Sequence, residues 1–69
     1  MTEGQYRVGI NFNPGGHVQV NEIKRQAANL IDYILENQGD PRCAAIACTE
    51  IESAAMWGVK SVTKPERET

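Results

Sequence analysis

Five residues in a row, Phe12-Asn13-Pro14-Gly15-Gly16, carry the first chemistry that the sequence offers, and Lys24 and Arg25 follow shortly after. A second set, Lys60, Thr63 and Lys64, stands close to the end of the chain. An aromatic ring can stack on a nucleobase, at about 1–3 kcal/mol per base. Glycine amides and a helix N-terminus present N–H groups to anions, and lysine and arginine hold phosphates through charge-assisted bonds. Gathered in one place, these groups are the parts needed to hold a phosphorylated base. They bind and do not react: no paired carboxylates, Cys/His pair or metal-spaced cluster supplies a base or nucleophile, so the chain does not read as an enzyme.

Each of these residues also has a plainer use. Asn13-Pro14-Gly15-Gly16 makes a tight turn, because proline fixes φ and glycine tolerates the left-handed region. It lacks the spacings of a phosphate loop or a dinucleotide fingerprint. Lysines in the last turns of a helix complement its dipole on a solvated face. His17, with no motif partner, reads as an exposed loop residue.

Two helices are needed to bring the separated residues together. From Asn21 as N-cap to about Asn37, the apolar residues Val20, Ile23, Ala27, Leu30 and Ile34 step by three and four and form one stripe. Ala28, Ile31 and Leu35 widen it. Gly39 is expected to close this helix in the left-handed conformation. Asp40 then caps a second helix with Pro41 at its first position and Pro65 beyond its end, and Ala44, Cys48, Ile51, Ala55, Gly58 and Val62 face inward. The three residues between the helices require an antiparallel hairpin. That fold places the start of the first helix beside the end of the second, with Lys24, Arg25, Lys60, Thr63 and Lys64 at one end under the Phe12–Gly16 loop.

The expected architecture is all-α, an antiparallel two-helix hairpin with a short N-terminal arm. Residues 1–69 form a single helical-hairpin domain, with arm and loop over 1–20 and helices over 21–37 and 41–64. Residues 1–5 show no pattern, and 6–12 suit either a short extended segment or a turn. Sixty-nine residues bury little surface alone, and chains this short usually need a staple or a partner. Cys43 and Cys48 lie on one helix about 140° apart and cannot pair within it. They read as small buried hydrophobes in a reducing cytoplasm, with no metal or other cofactor implied. Cys43, Ile46, Ala47, Ala54 and Trp57 give the second helix another apolar face. Ile46, Ala54 and Trp57 are expected at a homo-oligomer interface, unless the N-terminal arm folds back over them. A net charge of −2 argues against binding a nucleic-acid polymer. With no signal peptide and no long apolar run, the chain is expected neither to be exported nor to span a membrane.

The segments RVGINFNPGG, VNEIK and AAMWGVKSVTK, in this order and spacing, resemble the hairpin domain of bacteriophage anti-CBASS and Thoeris anti-defence proteins over about residues 7–64. The most specific pieces are Phe12-Asn13-Pro14, Ile23-Lys24, and Met56-Trp57 with Lys60, Thr63 and Lys64. The resemblance implies a cytoplasmic protein of the infected host that sequesters cyclic di- or trinucleotides or cyclic ADP-ribose isomers without cleaving them. It also implies a homohexamer with ligands at subunit interfaces. On this resemblance Phe12 stacks on the base, with Tyr6 the alternative ring, Asn13, Pro14 and Gly15 line the site, and Lys24 holds phosphate. Lys60, Thr63 and Lys64 line a second or adjoining pocket. The chain departs from the family pattern at Gly58, where alanine is expected, and at Phe12, where the family's ring is tyrosine. The alternative is a ligand-free α-hairpin that docks another protein through its second apolar face.

Overall fold

A computed structural model describes residues 1–9 and 17–64, and in them three helices follow one another: α1 (Glu3–Val8), α2 (Val18–Glu36) and α3 (Pro41–Thr63). The antiparallel hairpin is α2 packed on α3, as the two stripes require, and α1 packs mainly on α2 and less on α3. The molecule extends 45 × 31 × 12 Å, so its thin dimension is about one helix diameter. A single layer of helices has no second layer behind it, and each helix therefore keeps one face in water.

Helix α1 corrects the expectation of a patternless arm. Thr2 caps it: its hydroxyl accepts from the Gln5 amide at 3.0 Å, and the Gln5 side chain accepts from the Thr2 amide at 2.9 Å. This reciprocal pair is a capping box, legible as Thr-x-x-Gln in the sequence. Arg7 reaches back to Glu3 at 3.0 Å, and Gly9 ends the helix with φ 70°. Six residues are far too few for a helix to persist in water unaided. Docking holds it. Gly4 is buried against α2, and a Cβ added there would lie 2.1 Å from the Ala28 carbonyl oxygen. Only glycine allows the two backbones so close.

Helix α2 begins earlier than Asn21. His17 is the N-cap, exposed as expected, with its Nδ1 accepting from the Val20 amide at 3.4 Å. The buried face is also turned: Ala28 and Ile31 are fully enclosed, whereas Leu30 of the expected stripe is 49 % exposed. The rotation follows from α2 serving two neighbours, with Ala28 under α1 and the adjoining residues against α3.

Gly39 does not adopt the left-handed conformation, and Gly9 is the one positive-φ residue among those described. Asn37 closes α2 instead, its side-chain amide donating to the Tyr33 carbonyl at 2.8 Å. An asparagine side chain thus satisfies a carbonyl orphaned at the helix end. Asp40 caps α3 as expected, accepting from the Arg42 amide at 2.9 Å and the Cys43 amide at 3.4 Å. Ala44, Cys48 and Ala55 are buried, and Ile51, Gly58 and Val62 are half-buried on the same face. Cys43 is exposed, contrary to the expectation of a buried thiol; it lies off that face, and its Sγ donates to Asp40 at 3.3 Å. Lys64 ends the helix in extended backbone, φ −71° and ψ 143°, the conformation that the following proline demands.

The core is small, made chiefly of Ala28, Ile31, Ala44, Cys48 and Ala55. Trp57 is 60 % exposed and Ile46 50 %, and Ala54 lies exposed beside them. The N-terminal segment does fold back onto the hairpin, yet it covers α2 and leaves this face of α3 open.

Candidate functional site

A cavity of about 550 Å³ opens where α1, α2 and α3 meet. Its apolar walls come from Val8 on α1 and from Ala55, Met56 and Val59 on α3. Arg7, Lys24, Glu52 and Ser53 supply its polar groups. The hairpin brings Lys24 here because residues early in α2 lie beside the second half of α3; Ile23, its neighbour, faces Gly58. Helix α1 then lays Arg7 across the other side.

The three charged groups are partly engaged with one another and with the backbone. Lys24 Nζ donates to the Gly9 carbonyl at 3.1 Å, tying α2 to the end of α1. An ammonium has three N–H donors, so two remain beyond this bond. Arg7 Nη1 lies 3.5 Å from Glu52 Oε2, joining α1 to α3, while its Nε binds Glu3. The hydrogen bond to Glu3 raises the Arg7 pKa, which fixes its positive charge. Apolar walls with two cations and one carboxylate suit a flat, partly apolar ligand that also carries negative charge.

The sequence-derived candidates divide. Lys24 lines the cavity. Phe12, Asn13, Pro14 and Gly15 lie outside the described residues. Lys60, Thr63 and Lys64 are not among the cavity's lining residues. Lys60 Nζ sits 4.8 Å from the centre of the Trp57 ring, a cation–π pair. The Thr63 hydroxyl donates to the Val59 carbonyl at 2.8 Å. Lys64 is the C-cap of α3. Arg25 is held by Glu22, to which it donates through both Nε and Nη2, so its charge is matched locally. That pairing, with a further bond from Gln26, lowers the Glu22 pKa to about 2.

Arg7, Glu52 and Ser53 were not among the candidates read from the sequence. Glu3 and Arg7, four apart, signal an exposed helical turn. Nothing in their spacing says that this turn lies over Glu52. Among the described residues, no cluster of His, Cys, Asp or Glu could hold a metal ion, and no helix is long and apolar enough to cross a membrane.

No curated protein and no solved structure matches the chain. The family model described as Acb2/Tad1, hairpin domain, matches residues 3–63, from the first residue of α1 to the last of α3. With nearly the whole length so matched, the chain belongs to the Acb2/Tad1 hairpin-domain family, a family of phage anti-defence sponges.

Proposed function

We propose that the protein binds cyclic oligonucleotide or cyclic ADP-ribose immune signals and sequesters them intact, so that CBASS or Thoeris effectors are not activated. The observation that carries this function is Lys24 at the edge of a nucleotide-sized cavity, with Arg7 as a second cation over apolar walls. Membership of a sponge family supplies the ligand class. Lys24 holds a phosphate, Phe12 stacks on the base, and Asn13, Pro14 and Gly15 contact the ligand. Lys60, Thr63 and Lys64 serve an adjoining pocket. Thr63 follows Val59 by one helical turn, on the side of α3 that walls the cavity.

Self-association is part of the proposal. A one-layer hairpin with Ile46, Ala54 and Trp57 in water has an apolar face that copies of the chain can cover, as a homohexamer in the host cytoplasm. The exposure of this face also favours a second reading, a ligand-free module that docks another protein through it.

Calorimetric titration with cyclic di- and trinucleotides and cyclic ADP-ribose isomers decides between them. The sponge binds at least one of these, returns it unhydrolysed after heat denaturation, and loses it on Lys24→Ala. Absence of heat with every ligand overturns the sponge. Loss of function on Trp57→Ala with Lys24→Ala neutral then supports the docking module.

A further inference from the structure

In the cavity two cations face one carboxylate, and the carboxylate has no partner that makes it structurally indispensable. Glu52 lies at the edge, with 36 % of its side chain exposed, and its contact to Arg7 is long at 3.5 Å. Arg7, 28 % exposed, already has a closer acceptor in Glu3 at 3.0 Å. Glu52 therefore adds little to holding Arg7 in place. An ion pair of this length and exposure stabilises a fold by roughly 0–1 kcal/mol.

We propose, resting on the sponge reading above, that Glu52 is the specificity-determining residue of the cavity. It screens Arg7 and Lys24 against bare anions and admits a phosphate ester that also brings an N–H or O–H donor. At neutral pH a phosphate or pyrophosphate ion concentrates about two to three negative charges, and the O–H it keeps belongs to the same group that the cations must hold. Seated at Arg7 and Lys24, it faces the Glu52 carboxylate with like charge against like charge, at a site where apolar walls weaken solvent screening. A nucleotide ligand has base N–H and ribose O–H groups at a distance from its phosphates. One of these donates to Glu52, and the carboxylate, itself only an acceptor, is then satisfied while the cations take the phosphate. Ser53, beside Glu52 in the lining, has a hydroxyl that turns to suit either partner. The logic is discrimination by repulsion: the wrong ligand brings its concentrated negative charge up to the carboxylate, and the right one brings a separate donor to it. For a protein that must ignore the abundant inorganic phosphates of a cell, such a screen has an evident use.

The test compares the full-length wild-type chain with Glu52→Gln in calorimetric titrations with pyrophosphate and with the cyclic nucleotide panel. Glutamine keeps the shape and removes the charge. The variant is expected to bind pyrophosphate about threefold tighter than wild type and its best nucleotide about threefold weaker, so that the selectivity ratio falls about tenfold. Adding Arg7→Gln to the variant removes the gain for pyrophosphate. Equal pyrophosphate affinity in wild type and Glu52→Gln, or affinities for both ligands that move together, overturns the proposal. Circular-dichroism melting of each variant confirms that the helices persist. Should the wild-type chain bind no cyclic nucleotide, the sponge reading fails. The pyrophosphate comparison then still decides whether Glu52 screens anions.

Discussion

The Gly4 amide donates to Asp32 Oδ1 at 2.7 Å, a bond between two helices 28 residues apart in sequence. It fixes the N-terminus of α1 onto the middle of α2, and so determines where Arg7 falls one turn later. The arrangement combines a carboxylate at the positive end of a helix with a glycine that lets the backbones touch. Without it, the cavity would lose Arg7 and Val8.

Gly4→Ala tests this relationship. Its Cβ would stand 2.1 Å from the Ala28 carbonyl oxygen, which cannot yield without moving backbone. The substitution is expected to undock α1 and lower stability by about 2 kcal/mol or more, within the range for an overpacked contact. Amide exchange should rise to that of free chain over residues 3–9 while α2 and α3 stay protected. Asp32→Asn should weaken the same docking by about 1–2 kcal/mol, since a charged acceptor is lost.

Gly58→Ala has the opposite sign. Its Cβ would meet Ile23 Cγ2 at 3.4 Å and Cδ1 at 3.7 Å, ordinary van der Waals contact. Glycine inside α3 carries the entropic penalty without any close approach to justify it. Thermal melting should show a gain of about 0.5–1 kcal/mol. A methyl group at this position fits beside Ile23 without moving α2 against α3.

Acid should loosen the start of α2 late. Glu22 has its pKa lowered to about 2 by bonds from Arg25 and Gln26. A carboxylate with a depressed folded pKa contributes stability that is present above its unfolded value, 4.5, and is lost as pH falls through about 2. An NMR titration of the Glu22 side chain should place its midpoint near the lower value, and Arg25→Gln should return it toward the ordinary one. The pair is solvent-exposed, so added salt should also weaken it.

Asp40 follows the same sign. Bonds from the Cys43 thiol, then from the Arg42 and Cys43 amides, lower its pKa. The capping contribution is thus present at neutral pH and fades as pH falls through the lowered value. Asp40→Ala should reduce the melting temperature at pH 7 by more than at pH 2, and Asp40→Asn should recover most of the loss.

Trp57→Ala should lower the mass of the native particle measured by light scattering, if copies meet through this face of α3. Lys60→Ala, which removes the cation over the ring, should leave the mass unchanged, because the ring supplies the buried area and the lysine only shields it.

The two long helices and the Asp40 cap of α3 were legible in the chain itself, whereas the caps of α2 fell on His17 and Asn37 and not on Asn21 and Gly39. Asp40 before Pro41, and apolar residues at steps of three and four, are local signals, and local signals fix where a helix starts and which side it hides. The capping box of α1 also stands in Thr2 and Gln5, where the expectation was of no pattern. The hairpin alone carries Lys24 beside the second half of α3, though not among Lys60, Thr63 and Lys64 as expected. What sequence could not supply was the position of α1. A six-residue helix has too short a stripe to declare its partner, and its seat depends on one glycine fitting under the Ala28 carbonyl. With α1 seated there, Ala28 is buried and Arg7 lies beside Glu52. Periodicity records which residues leave water, because burial acts on each helix separately. Which helix covers them, and which charges thereby meet, is a property of the packed whole.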